Sequence, residues 1–509
     1  FESVAWLPLV HDNNIVAINA ITTDAGSGVK LMMQKCTLNS GQMLISGGTL
    51  TASDCDFNDP AKRILIGPNA RAIMTGNRFS DVTLLQNHSL YTCHIEHTPV
   101  SLPGLPEYAD TLPRTQKPAR MVMYNVTGTP FYAVNDGVTD NTSAIQNALN
   151  TASAEGGGIV FLPPGKYKVL ETLTIPTGVE LKGALDIGTS PMGPGSILEV
   201  YSGKGNASGT PFITMNQGSG LRGVVVNYPE QLGDNVPDFF AYPYCIRVAG
   251  NDAYIVNVGI RAAYNGIDLF TNRCDNHYLD YIAGQVLNIG IRIGGGSTGG
   301  KISNIQFNPI GYAFGYESKW GEWSNAPSPS NVENVYNFIK NTLQFMVLDN
   351  CSGETLYNNF HYGSQIGLLL NGASGVSMGT GIDASRKGVV INSVGAQGFD
   401  LINSQIVSVD NLPGTCYIQA NSGFTGEMTF FNSDYWGWTE YGISQSGGNL
   451  NFQLGNFQYP GSTAFANITG GNLILENSAV MPVEHLLAGG DEPHLSAGSS
   501  VLDDSGINP

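Results

Sequence analysis

Short glycine-led apolar stretches return along this chain at intervals in the low twenties. Gly266-Ile267-Asp268-Leu269 is followed 24 residues later by Gly290-Ile291-Arg292-Ile293, and Gly367-Leu368-Leu369-Leu370 is followed 21 residues later by Gly388-Val389-Val390-Ile391. No helix-period segment fills these gaps. A strand that recurs at this period without an intervening helix fits a parallel β-helix, whose turns stack at about 4.8 Å and bury inward residues only against neighbouring turns. Asn and Gly supply the corners. A leucine-rich solenoid has a similar period, but its Leu/Asn consensus is missing. Asn-Gly pairs are rare, which argues against a hairpin-built sandwich or propeller.

Composition narrows the function classes. Gly is 64 of 509 residues and 42% of the chain is hydrophobic, which suits a large, turn-rich core and excludes disorder. Lys+Arg number 23 against 41 Asp+Glu, a formal net charge of −18, so nucleic acid is not an expected partner. No apolar run approaches the roughly eighteen residues of a membrane span. Seven widely spaced cysteines without a CxxC pair exclude a zinc ribbon or dense disulfide scaffold and read as buried thiols. The start at Phe1, without Met or a leader, reads as a processed end or a fragment. Low Lys, high Gly/Ser/Asn/Thr and acidity suit a secreted protein.

The clearest helical pattern is 140–152, with Asp140 as its cap and Ile145 and Leu149 on one face; Gly156-Gly157-Gly158 stops it. Short strands punctuated by Gly, Pro and Thr follow. A longer repeat also appears. Residues 46–57, "SGGTLTASDCDF", align with 446–457, "SGGNLNFQLGNF", and 64–79 align with 465–480. Residues 1–105 therefore read as the last rungs of one β-helix. The proline-rich stretch 106–120 reads as a linker, 121–488 as a second, complete helix with an N-terminal capping helix, and 489–509 as a polar tail.

Residues 134–169 resemble the opening of the pectate-lyase-like superfamily of right-handed parallel β-helices. The matching elements are Asn135-Asp136-Gly137, Asp140-Asn141-Thr142 and Gly157-Gly158 followed by Pro164-Gly165-Lys166-Tyr167. The tandem arrangement is similar to glycoside hydrolase family 55, exo-β-1,3-glucanases built from two β-helices. The resemblance implies an all-β chain of two tandem right-handed helices, the first only partly present, and an inverting hydrolase of a polysaccharide. The polygalacturonase signature set is absent. Phage tailspike depolymerases, fructan transferases and uronate epimerases share the capping signature.

The rung rhythm breaks at 311–341, an aromatic-rich excursion. Four of the five tryptophans form two pairs, Trp320/Trp323 within the excursion and Trp436/Trp438 beyond it. Exposed indoles suit the apolar faces of sugar rings, and long loops on a repeat commonly carry binding. Glycoside hydrolysis needs an acid and an opposing base or nucleophile. Glu317 and Glu322, among aromatics, are the acid candidates; Asp383 and Asp434 are the base candidates. His361 and Arg386 are candidate sugar donors. A polyuronate lyase would want a basic groove, and Lys and Arg are scattered. Corner Asp residues leave room for Ca²⁺, but no EF-hand or nonapeptide repeat is present, and no other cofactor is expected. The function read here is an extracellular glycoside hydrolase on a neutral polysaccharide, with a tailspike-like adhesin or depolymerase and a polysaccharide lyase as alternatives. The oligomeric state, monomer or homo-oligomer, stays open.

Overall fold

The computed structural model describes residues 116–184, 195–308, 325–459 and 464–481, with shorter stretches of 9–96 and of 487–502. The chain is all-β with few helices. It divides into two units: Phe1–Asp110 with Asp400–Pro509, and Thr111–Phe399.

In the second unit each strand pairs in parallel with the strand one turn further on. Gly158–Phe161 pairs with Val179–Lys182, which pairs with Gly220–Arg222, then with the start of Tyr254–Leu269, the start of Tyr278–Ile293 and Lys301–Ser303. The register places Val160, Leu181, Leu221, Ile255, Leu279, Ile302 and Leu356 directly above one another, all buried. Strand alternation puts every second residue inward, so a core of aliphatic columns follows from the period alone. Two further lines of strands run through Gly165–Val169 and Ser196–Val200, and through Leu173–Ile175 and Ile213–Met215.

The capping helix covers Thr142–Ala154 and buries Ile145, Ala148, Leu149 and Ala152, the face the periodicity predicts. Its N-cap residue is Asn141, not Asp140. The Asn141 amide is turned back onto the Val134 N–H and carbonyl. Asp140 still serves the helix start: its Oδ1 accepts from the Thr142 N–H and hydroxyl. The Asn-Asp-Gly turn is closed by Asp136, which accepts from the Val138 and Thr139 N–H groups. Gly165 has φ +139° and lies so close to Asn135 that an added Cβ would sit 2.7 Å from its side chain, and Tyr167 donates to the Pro163 carbonyl. The superfamily signature is thus a set of turn and close-approach requirements.

Glycine also makes room for a polar clasp on the first line of strands. Glu180, Gly220 and Tyr254 lie in register, and the Tyr254 hydroxyl donates to Glu180 Oε2 at 2.7 Å across Gly220. Arg222 Nε donates to the same oxygen at 3.0 Å. A Cβ on Gly220 would fall 2.1 Å from the Tyr254 ring. Gly220→Ala is therefore expected to lower stability by about 1–3 kcal/mol, the usual range for overpacking. Gly128→Ala, where the nearest atom would be 3.5 Å away, is the control and should stay within about 0.5 kcal/mol. Urea midpoints of the two variants check this; equal midpoints would refute the clasp.

In the first unit, Met43–Ser53 pairs in parallel with Ile64–Thr75, and Tyr441–Gln453 with Ala466–Glu476. All seven cysteines are free thiols, and all but the half-buried Cys93 are buried. No helix among the described residues is long and apolar enough to cross a membrane.

Candidate active site

The second line of strands in the Thr111–Phe399 unit carries the densest polar chemistry. Its inward residues, Leu198, Val226, Ile260 and Phe307, are buried core. The residue following each of them faces the other way. Lys168, Glu199, Asn227 and Arg261 lie in direct register. Gln285 follows Gly284, which is paired with Ile260; Asn308 follows Phe307; and Tyr362 follows His361, which is paired with Phe307. The Gly381 N–H donates to the Asn359 carbonyl, which sets Phe360 against Gly381 and so Tyr362 against Asp383. One line facing away from the core therefore runs Glu199, Asn227, Arg261, Gln285, Asn308, Tyr362, Asp383; its first four members are buried and the last three are half-buried.

Two excursions cover this line. Asn325, fully buried, accepts from Arg261 Nε at 3.3 Å and donates to the Tyr228 carbonyl at 3.1 Å. Asp234, in the excursion after Val224–Asn227, accepts from the Ser328 N–H at 2.7 Å, its hydroxyl at 2.8 Å and Asn331 at 2.9 Å. These bonds hold its carboxyl below the usual range. The helix Val332–Thr342 follows, and its Tyr336 stacks on Tyr362 with centroids 5.5 Å apart. A roof thus spans from Arg261 to Tyr362.

The line holds two perturbed carboxyls. Burial pushes Glu199 up, with Lys166 and Lys168 only partly offsetting it; Lys166 Nζ lies 3.9 Å away. Burial likewise pushes half-buried Asp383 up against one bond from the Ala384 N–H. Six turns separate them, on the order of 29 Å at the ordinary rung spacing. Paired glycosidase carboxyls stand about 5–9.5 Å apart, so these two are not such a pair.

The other sequence candidates fall as follows. His361 sits on the inward column, fully buried. Its Nε2 meets Ser364 Oγ at 2.8 Å and Ser385 Oγ at 2.9 Å, Phe345 stacks on its ring, and burial brings its pKa down to about 3. It does not line a surface. Arg386 lies half-buried on the Asp383 strand, three residues along. Asp434, Trp436 and Trp438 belong to the other unit. There Asp434 is buried and accepts from Asn456 Nδ2 at 3.0 Å, while the two indoles are exposed. Glu317, Trp320, Glu322 and Trp323 lie outside the described residues. Asp268, in the repeated Gly266–Leu269 stretch, is engaged by Arg247 and by the turn at Phe270 and Thr271. Among the described residues no three His, Cys, Asp or Glu side chains gather to hold a metal.

Sequence reasoning missed Glu199, Asn227, Arg261, Gln285, Tyr362 and Asn325. A polar residue directly after an inward apolar one is the signal that marks the first three; Gln285 follows Gly284 and Tyr362 follows His361, so the pattern lapses there.

Residues 123–340 match the family described as rhamnogalacturonase A/epimerase, pectate lyase-like. Mannuronan C5-epimerase AlgE1 of Azotobacter vinelandii is 46% identical over 68 residues, 12% of this chain and 5% of the epimerase. The tail spike protein of Shigella phage Sf6 is 47% identical over 58 residues, 10% of this chain and 9% of the tail spike. The chain thus spans a small fraction of the length of these relatives. The solved A-module of the Azotobacter vinelandii epimerase AlgE6 aligns over 74% of this chain and 98% of the module, at 16% identity and a TM-score of 0.48.

Proposed function

We propose that this chain, whose residues 123–340 match a pectate-lyase-like family, acts on an extracellular polysaccharide at the part-exposed Asn308, Tyr362 and Asp383 end of the polar line. The observation that carries the reading is Asp383: a desolvated carboxyl at one end of a line of amide and hydroxyl groups, one rung from the Tyr362 on which Tyr336 of the covering helix stacks. The half-buried Asn308 and Tyr362 beside it offer amide and hydroxyl partners to a glycan, and burial, by raising the pKa of Asp383, favours the proton-bearing form that a donor needs. In the hydrolytic reading Asp383, a base candidate in the sequence, acts as the acid: it gives its proton to the glycosidic oxygen as the anomeric C–O bond breaks, water adds at the anomeric carbon, and the proton that water releases restores the Asp383 carboxyl through solvent. The tandem right-handed β-helices, with boundaries at 105 and 121, belong to the same proposal.

A second reading, β-elimination or epimerisation of a uronan, rests on the curated relatives, which are named mannuronan C5-epimerases and an alginate lyase. A tailspike-like depolymerase is a further form of the first reading, favoured by the phage relative.

The test is product analysis with the full chain on β-glucan, mannan, pectate and alginate. New reducing ends without an unsaturated chromophore support hydrolysis. Unsaturated uronates mean a lyase, and altered uronate composition without cleavage means an epimerase. No change in any polymer overturns the proposal. Light-scattering mass separates a monomer from a tailspike-like trimer.

A further inference from the structure

The two indoles of the Phe1–Asp110/Asp400–Pro509 unit stand on a corner built to hold them still. Trp436 is 38% and Trp438 60% exposed, although Tyr435 beside them is fully buried and stacks on Phe457 at 4.3 Å. Between the indoles Gly437 has φ +102°, and a Cβ there would sit 2.2 Å from the Ser408 carbonyl oxygen. Only glycine fits that turn. The Tyr417 hydroxyl donates to the Gly437 carbonyl at 2.8 Å, and the Tyr459 hydroxyl to the Glu440 carbonyl at 2.6 Å. The Glu440 N–H donates to Thr415 Oγ1 at 3.0 Å. Buried phenols and a hydroxyl thus pin the backbone on both sides of Trp438.

A rigid corner that leaves two of the largest apolar side chains in water is preorganised for a partner. The neighbouring groups say which kind. Trp436 is in register with Val407 on one side and Gln458 on the other. Two residues back on the same face lies Asp434, in register with Gln405 and Asn456. Flat apolar faces edged by amides and a carboxylate match a sugar ring, which offers an apolar C–H face and a rim of hydroxyls. Asp434 is buried against Asn456, so Gln405, Glu440 and Gln458 bring one acid and no cation to the exposed rim, and the chain carries −18 overall, so a polyanion is disfavoured.

We propose that residues 436–440 form a binding platform for an uncharged hexose polymer, with Trp436 and Trp438 stacking on its rings. The ligand class rests on the polysaccharide reading above; the platform itself uses none of the residues of the polar line.

Affinity electrophoresis of the full chain through gels cast with a β-glucan, a mannan or alginate tests it. Wild type should be slowed by at least one neutral polymer. Trp436→Ala and Trp438→Ala should each weaken that retention about five- to ten-fold, the weight of one stacked aromatic face, and the double variant should abolish it. Trp438→Phe should keep most of it. Migration in plain gels should not change; melting temperature should hardly move for the more exposed Trp438 and should fall modestly for Trp436→Ala, which removes a ring that is only 38% exposed. Retention by alginate alone, unchanged retention in the double variant, or no retention by any neutral polymer overturns the platform. Turnover is measured separately on the same proteins. Retention without turnover in wild type leaves the platform standing and sinks the enzymatic reading; turnover with retention unmoved by the indole variants does the reverse.

Discussion

Glu354→Ala is expected to lower the stability of the Thr111–Phe399 unit by about 3–5 kcal/mol, the cost of leaving one partner of a buried ion pair alone. His277 and Glu354 have fully buried side chains, and His277 Nε2 lies 3.2 Å from Glu354 Oε2. Gly300 occupies the rung between them: a Cβ there would stand 2.1 Å from the His277 ring and 2.4 Å from Glu354 Oε2. His277 Nδ1 is held on the Cys274 carbonyl at 2.7 Å, so the ring is oriented before it meets the acid. Burial alone would push its pKa down. The nearby carboxylate of Glu354, the Cys274 carbonyl and the charge of Asp275 outweigh burial and raise it.

The pH dependence follows from that direction. A histidine whose pKa is raised on folding contributes stability that is complete below its ordinary value of 6.5 and fades as pH climbs through the raised folded value. The gap in melting temperature between wild type and Glu354→Ala should therefore be wider just below pH 6.5 than above it, and should narrow as pH rises from 6.5. Replacing both partners, His277→Leu with Glu354→Met, should recover most of the loss, because an apolar pair of similar volume needs no charge compensation. A pH-independent gap, or a double variant as unstable as the single, would show that the site contributes packing and no ion pair.

The period that betrayed this architecture has a physical cause. The glycines that open the repeated stretches mark where successive backbones come closest. A Cβ on Gly266 would fall 2.2 Å from the Gly290 carbonyl oxygen, and one on Gly367 2.6 Å from that of Gly388. The longer repeat has the same kind of root. Ser46-Gly47-Gly48 and Ser446-Gly447-Gly448 both sit where the strand register slips, and Gly48 and Gly448 both take positive φ. Inward columns and corner glycines are thus written locally. The outward line is not. The intervals from Glu199 to Asn227 and from Asn227 to Arg261 are 28 and 34 residues, because excursions of different length leave each rung. Only the register reveals that these side chains share a face. His361 shows the converse: a polar residue in an inward position has the same local sequence setting as one facing out, and only its neighbours Ser364 and Ser385 explain how the core accommodates it.

Asp383→Asn is expected to reduce turnover by about 10²–10⁴-fold, the usual weight of a general acid, while leaving glycan retention unchanged. The same substitution should raise the melting temperature. Burial disfavours the ionised carboxyl, so the folded chain holds the Asp383 proton to higher pH than the unfolded chain does. Stability is then lost as pH rises from the ordinary 3.8 through the raised folded value, and the penalty persists above it. Asn carries no such penalty. Its stabilising effect should vanish below pH 3.8 and reach its plateau above the raised value. Wild-type turnover should fall over that same window, because the protonated form is the donor. Gain in stability with loss of turnover is the signature of a strained functional group. Unaltered turnover in Asp383→Asn would move the acid to Glu317 or Glu322; lost turnover with a lowered melting temperature would make Asp383 a structural residue and leave the polar line without its proton donor.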